Sequence, residues 1–112
     1  MSLDDPTRLG HMLDAAKQAF SFCRGRSRTD LETNCMLSLS LARLLEIIGE
    51  AARAVSPEYR AGHSTVPWKQ IVGMRDRLVH GYFDINLDVV WETVTHDLPP
   101  LIAALERLLE KD

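Results

Sequence analysis

The chain has 112 residues, of which 46% are hydrophobic, 26% charged and 6% aromatic, with a formal net charge of -3. This length suits one domain, residues 1–112, with a single core, and the acidic balance argues against a protein covered in basic surface for nucleic acid. Cys23 and Cys35 lie in no metal-binding or redox spacing, so we expect reduced thiols, no metal and no cofactor. The N-terminal residues lack a secretion-signal pattern and no apolar run reaches the about 20 residues of a membrane span, which predicts a cytoplasmic protein.

The spacing of apolar residues and of capping residues predicts an all-α bundle of four or five helices. The predicted helices begin at Asp4 or Asp5, Thr29 or Asp30, Trp68, Asn86 or Asp88, and Asp97, and the first three end at Gly25, near Val55 and near His80. Residues 56–66 are predicted as a loop and residues 82–86 as a short extended connector. No strand alternation is visible.

The second predicted helix is apolar on more than one side. Its main stripe is widened by Met36, Leu39 and Ile47, which lie off that stripe. A helix of this kind must bury more than one side, and in a small bundle the second buried side can belong to a partner subunit. Gly49 costs about 1 kcal/mol relative to alanine inside a helix, which indicates a close backbone approach at that position.

The third predicted helix carries an arginine where an apolar residue is expected. Arg75 lies in the middle of its apolar stripe, whereas Arg77 points the opposite way. A guanidinium on a buried face must be paired or must line a cavity, because burying an unpaired charge costs several kcal/mol. One interpretation is a structural salt bridge to Glu46 or Glu50, and the other is a functional cleft.

An imidazole close to this arginine favours the functional interpretation. Asp76 and His80 are four residues apart, so on a helix the carboxylate can orient the imidazole and raise its pKa. Arg75 and His80 diverge by about 140° on an ideal helix, so they share a site only if the helix end tightens or if a second subunit contributes. A guanidinium that holds phosphate oxygens and an imidazole that moves a proton are together suited to metal-free phosphodiester chemistry.

The segment from Arg75 to Tyr82 resembles the RX4-6H signature of the HEPN superfamily, in the RX4HXY form of HepT-type toxins. Trp68, Gly81, Phe83 and the flanking helices extend the resemblance over almost the whole chain. The residue after the motif arginine is often asparagine in the family, and here it is Asp76.

The resemblance implies a HEPN-type bundle that forms a homodimer with the motif at the dimer cleft. HepT-type proteins are metal-independent ribonuclease toxins of type VII toxin–antitoxin systems, paired with an MntA-like nucleotidyltransferase antitoxin that transfers AMP to the motif tyrosine. By position, Arg75 would stabilise charge on the scissile phosphate of RNA, His80 would act as acid or base with Asp76 beside it, and Tyr82 would be the AMPylated residue.

Four further arginines are candidate contacts for RNA or for a protein partner, namely Arg24, Arg26, Arg28 and Arg77. An ordinary solvated loop is the competing interpretation of the first three. Two alternatives to the nuclease remain open at this point. One is a non-catalytic helical module that binds a nucleotidyltransferase or a nucleotide, and the other is a purely structural dimerisation bundle.

Overall fold

Helices make up most of the chain, as the sequence predicts. The computed structural model describes residues 4–82 and 84–111, so Phe83 lies outside the described residues. The elements in chain order are α1 (Asp5–Cys23), α2 (Arg28–Thr33), α3 (Cys35–Ala54), α4 (Pro57–Gly62), α5 (Trp68–Arg77), β1 (Val79–His80), β2 (Asp84–Ile85), α6 (Leu87–Glu92), a π-helical turn (Thr93–Asp97) and α7 (Leu98–Lys111).

The core lies between the three longest helices, α1, α3 and α7. α3 packs along α1 on one side and against α5 on another, and α7 packs against α1. Their apolar stripes supply fully buried side chains, including Leu9 and Met12 of α1, Leu41, Leu45 and Ile48 of α3, and Leu105 of α7. The predicted main stripe of the second helix is therefore confirmed, and α3 is the central element to which the motif helix α5 is attached.

The predicted long second helix is wrong at its start, because the chain bends at Asn34. Asn34 has extended backbone angles, φ -119° and ψ 93°, and its side chain accepts a hydrogen bond from the Leu37 backbone N–H. An asparagine in this role caps a new helix, so α2 and α3 are separate. α2 itself begins at Arg28, with Ser27 and Asp30 forming a capping box, rather than at Thr29 or Asp30.

The predicted third helix is too long by three residues. α5 ends at Arg77, and His80 instead lies on β1, which pairs antiparallel with β2 so that Val79 is opposite Ile85 and His80 is opposite Asp84. The backbone N–H of Asn86 donates to the Leu78 carbonyl at 2.8 Å and closes the hairpin. Gly81 has a φ of 66° and belongs to the turn of this hairpin rather than to a helix C-cap.

Two smaller expectations were also wrong. The predicted loop 56–66 contains the short helix α4, and the predicted fourth and fifth helices are continuous through the π-helical turn, so Asp97 is not a cap. Pro99 and Pro100 explain this turn, because neither can donate a backbone hydrogen bond and each ring crowds the carbonyl four residues earlier. A wider turn just before them relieves that crowding and keeps the helix continuous.

Candidate functional site

Arg75 lies at the contact between α5 and α3 and is partly exposed. Its Nη2 is 3.5 Å from Glu50 Oε1, its Nη1 is 3.9 Å from Asp76 Oδ1, and 30% of its side chain is accessible. The predicted pairing with a carboxylate of the second helix is confirmed for Glu50, whereas Glu46 pairs with Arg43. Arg75 is thus paired and yet open on one side, which leaves it available to a ligand.

Gly49 allows the Arg75 side chain to pass over α3. A Cβ added at Gly49 would lie 2.6 Å from Arg75 Cβ and 3.0 Å from its Cδ, which no side-chain adjustment can relieve because the Cβ position follows the backbone. The predicted close approach at Gly49 is confirmed. The Nε of Arg75 is buried and has no hydrogen-bond partner among the described residues, so the guanidinium keeps a donor that Glu50 and Asp76 do not satisfy.

His80 is exposed on the hairpin that follows α5. Because it lies beyond the helix end, the four-residue spacing that favoured an Asp76–His80 contact does not apply within one subunit. Directly opposite residues of an antiparallel pair project from the same face with Cβ atoms about 4.5–5.5 Å apart, so Asp84 is the carboxylate placed beside His80. Sequence reasoning missed Asp84, and only recognition of a hairpin turn at Gly81 could have identified it.

Tyr82 is 95% exposed and lies in the hairpin turn between β1 and β2. It follows His80 by two residues in the chain, at the tip of the hairpin. An enzyme that modifies tyrosine hydroxyl groups could approach it without any movement of the helical core.

The four arginines proposed as contacts for RNA or a partner lie in three different surroundings. Arg24 and Arg26 are exposed between α1 and α2. Arg28 instead ties the start of α2 to α6, with Nη2 2.8 Å and Nε 3.2 Å from Asp88 Oδ1. Arg77 is exposed at the C-terminal end of α5, at the edge of a cavity that does not include Arg75.

An apolar outer surface runs along α3 towards Arg75. Met36 is 80% exposed and Leu39 is 55% exposed, Ile47 is half-buried, and Glu50 ends the same helix face beside Arg75. The expectation that these apolar residues lie off the buried stripe is confirmed. We call this the α3 outer face, defined by Met36, Leu39, Arg43, Ile47 and Glu50.

Membrane-spanning helices and metal-binding clusters are both absent from the described part of the chain. No helix among residues 4–82 and 84–111 is long and apolar enough to cross a membrane. The same residues contain no group of three or more His, Cys, Asp or Glu side chains that could hold a metal ion.

Comparisons with known proteins agree with the motif. A family model described as "Ribonuclease HepT-like" matches residues 12–108. The chain is similar to "Putative RNase TTE0752" of Caldanaerobacter subterraneus subsp. tengcongensis, with 38% identity over 104 residues, 93% of each protein. It is 34% identical over 95 residues to "Putative RNase MJ1380" of Methanocaldococcus jannaschii, covering 85% of this chain and 87% of that one. "Probable ribonuclease HepT" of Thermococcus cleftensis is 39% identical over 69 residues, 62% of this chain and 63% of its own. No solved structure matches the chain significantly.

Proposed function

Because the chain belongs to the HepT-like ribonuclease family, we propose that it is a metal-independent endoribonuclease toxin that cleaves RNA with Arg75 and His80. The observation that carries this proposal is the position of the Arg75 guanidinium. Gly49 and Glu50 hold it at the edge of α3 with 30% of its side chain accessible, five residues before the exposed imidazole of His80.

The chemistry needs only a base, an acid and a cation. A base removes the proton of the RNA 2′-hydroxyl, whose oxygen attacks the adjacent phosphorus and forms a pentacoordinate phosphorane. The bond from phosphorus to the 5′-oxygen then breaks, and an acid protonates the leaving oxygen. The products are a 2′,3′-cyclic phosphate and a 5′-hydroxyl. Arg75 stabilises the charge that develops on the phosphorane oxygens, and the imidazole of His80 transfers the protons.

A carboxylate beside His80 fixes which ring nitrogen faces the substrate. Asp84 has this position across the hairpin, whereas Asp76 contacts Arg75. We assign the orienting role to Asp84 and keep Asp76 as a residue that tunes the charge around Arg75. A carboxylate that accepts a hydrogen bond from one imidazole nitrogen leaves the second nitrogen free for the RNA.

A homodimer completes the site. The α3 outer face is apolar, is exposed in one subunit and ends at the Arg75–Glu50 pair, so a second copy packed against it would bury Met36 and Leu39 and bring both sites together. The His80 side chains of the two subunits could then act as base and acid on one phosphate, within a HEPN-type cleft.

The decisive experiment is cleavage of a single-stranded RNA by the purified full chain in the presence of EDTA. We expect cleavage to continue under chelation, to yield 2′,3′-cyclic phosphate ends, and to stop at a site that carries one 2′-deoxynucleotide, because the attacking hydroxyl is then missing. Arg75→Gln should remove the activity, and Arg107→Gln, an exposed arginine of α7, should not. Cleavage of the all-DNA analogue, or loss of activity with EDTA alone, would contradict the mechanism.

The same proposal includes regulation by a nucleotidyltransferase antitoxin that AMPylates Tyr82. The 95% exposure of Tyr82 at the tip of the hairpin supports this, and an AMP group there would put negative charge where the RNA phosphate binds. Co-expression with the nucleotidyltransferase of a neighbouring reading frame should add mass in AMP units that disappears in Tyr82→Phe. Tyr59 is a half-buried tyrosine of α4, and Tyr59→Phe is the matched control. This variant should still gain the AMP mass, because it keeps Tyr82.

One observation favours a second candidate, a non-catalytic module that binds a nucleotidyltransferase or a nucleotide. Glu50 and Asp76 both contact Arg75, and two carboxylates reduce the positive charge available to a phosphate. Expression of the chain alone distinguishes the two. A ribonuclease toxin arrests growth unless His80 is changed to alanine, whereas a binding module leaves growth and RNA intact. A purely structural bundle would tolerate Arg75→Met without loss of any binding.

A further inference from the structure

A second site lies on a different face of α5 from the one that carries Arg75. It is a cavity of about 510 Å³ between α3, α5, the π-helical turn and the start of α7. This volume falls within the about 300–1,000 Å³ typical of small-molecule sites. Its wall includes Gln70, Met74 and Arg77 of α5, Thr93 and Asp97 of the π-helical turn, and Leu101 of α7.

The cavity combines an apolar floor with a few polar groups. The floor consists of buried side chains, among them Ile71, Met74, Leu98 and Leu101. Thr93 also faces it, is only 5% exposed, and has no side-chain hydrogen bond to another described residue. The Thr93 hydroxyl oxygen is not among the fully buried polar atoms that lack a partner, so it is accessible, and a ligand in the cavity can form a hydrogen bond with it.

A positive and a negative side chain line the edge of the cavity and do not pair with each other. Arg77 and Asp97 are both exposed, both line the cavity, and they form no ion pair with each other. A ligand that offers acceptors to the guanidinium and donors to the carboxylate would satisfy both. Guanine has this pattern on a flat ring, since O6 and N7 accept from arginine and N1–H and the N2 amino group donate to a carboxylate.

We propose that this cavity binds a guanine base, with the attached phosphate near the first turn of α5. α5 begins at Trp68 without a side-chain cap, and the N–H of Trp68 already donates to the Val66 carbonyl, so the N–H groups of Lys69 and Gln70 are the ones left for an anion. Gln70 and Arg77 are seven residues apart, or about 10 Å along the helix, which is comparable with the span of a mononucleotide. A free amino acid could also bridge Arg77 and Asp97, but it would leave most of the cavity empty.

Calorimetric titration of the full chain with GMP and with AMP tests the proposal. We expect saturable binding of GMP and binding of AMP that is at least about fivefold weaker, because adenine does not match the arrangement of donors and acceptors. Arg77→Gln and Asp97→Asn should each weaken GMP binding by about fivefold or more. Arg107→Gln and Glu110→Gln, which change the same kinds of charge on exposed positions of α7, should leave it unchanged.

Three results would overturn the proposal. They are no saturable heat with GMP, equal affinities for GMP and AMP, or a GMP affinity in Arg77→Gln and Asp97→Asn that equals that of the unmodified chain. The ratio of GMP to AMP affinity is measured on the unmodified chain, so it stands even if a variant folds poorly. Competition with a 2′-deoxy oligonucleotide that contains one guanine identifies the source of the base. Displacement of GMP assigns the cavity to a base of a polynucleotide, and no displacement assigns it to a free nucleotide. Neither result depends on RNA cleavage, so the proposed ribonuclease activity can fail or succeed separately.

Discussion

The two ends of the RX4HXY motif are held in different ways. Arg75 is fixed by packing, since its aliphatic chain lies against Gly49 and its guanidinium contacts Glu50. His80 and Tyr82 lie on a short hairpin whose strands have two residues each, and both are exposed. The arginine end of the motif is therefore part of the helical frame, and the histidine end is attached to it.

This difference indicates a division of roles. A group that stabilises charge on a phosphate gains from a fixed position, because it then needs no reorganisation when the charge develops. In the proposed mechanism His80 transfers protons and Tyr82 is modified, so the RNA and another enzyme must be able to reach them. The motif meets both requirements because the helix ends at Arg77, between its arginine and its histidine.

Alanine variants at the two ends give the largest expected effects and test the division directly. His80→Ala should lower the rate of RNA cleavage by about 10²–10⁴-fold through loss of proton transfer, with an unchanged free energy of unfolding because the side chain is exposed. Arg75→Ala should lower both the rate of RNA cleavage and the free energy of unfolding. The free energy of unfolding should fall by about 1 kcal/mol because packing and ion pairing are lost. Cleavage rates and urea unfolding curves measure the two effects.

His11→Ala on α1 serves as the control and should change neither quantity, since His11 is also exposed. The division of roles is wrong if His80→Ala destabilises the fold as much as Arg75→Ala does. It is also wrong if both variants retain full cleavage activity.

The neighbouring carboxylates allow a finer comparison of the two ends. Asp84 is paired with His80 across the hairpin, and Asp76 lies 3.9 Å from an Arg75 nitrogen. Asp84→Asn should lower the cleavage rate by about 10–100-fold, as for residues that orient an active group. Asp76→Asn removes negative charge beside Arg75 and should not lower the cleavage rate. Loss of cleavage in Asp76→Asn alone would return the orienting role to Asp76.

The sequence predicted the arginine end of the motif well. Arg75 interrupts an apolar stripe and Gly49 interrupts a helix, so these two residues are anomalous by the ordinary rules of helices, and Glu50 supplies the charge that Arg75 needs. Anomalies of this kind have few structural solutions. The contact between α3 and α5 is the one that satisfies all three residues.

The histidine end could not be predicted in the same way. A pattern of apolar residues continues past Arg77, and nothing local distinguishes Gly81 as a helix cap from Gly81 as a hairpin turn, because both require a positive φ. Pairing of Val79 with Ile85 decides between them, and that pairing depends on where α6 packs. Asn34 is a similar case, since its capping role within a long apolar pattern depends on the tertiary position of α2.

The contact at Gly49 predicts an effect on stability of intermediate size. Gly49→Ala would gain helix propensity but would place a Cβ 2.6 Å from Arg75 Cβ, so α3 and α5 must separate. We expect the free energy of unfolding to fall by about 1–3 kcal/mol, as for other overpacked sites, with a loss of cleavage activity. Gly73→Ala on α5 meets no atom within 4 Å and should instead raise stability by about 0.5–1 kcal/mol. Equal effects of the two substitutions in urea unfolding would mean that packing does not fix Arg75.

Acid should weaken the contact between the start of α1 and the end of α3, and this is the smallest expected effect. Asp5 at the start of α1 accepts hydrogen bonds from the Ser56 hydroxyl at 2.7 Å and from the Ser56 backbone N–H at 3.0 Å, just beyond the end of α3. The hydrogen bond from the Ser56 side chain, followed by that from its backbone, lowers the pKa of Asp5 below the usual 3.8. A carboxyl group with a lowered pKa in the folded state contributes stability above its unfolded-state pKa, and this contribution is lost as the pH falls from about 4 through the folded-state value. Asp5→Asn should therefore reduce the difference in melting temperature between pH 6 and pH 3, whereas Asp14→Asn, an exposed position in the middle of α1, should leave it as in the unmodified chain. If both variants lose stability with acid as the unmodified chain does, the Asp5–Ser56 contact does not anchor the end of α3, and the rigidity of Arg75 must come from Gly49 and Glu50 alone.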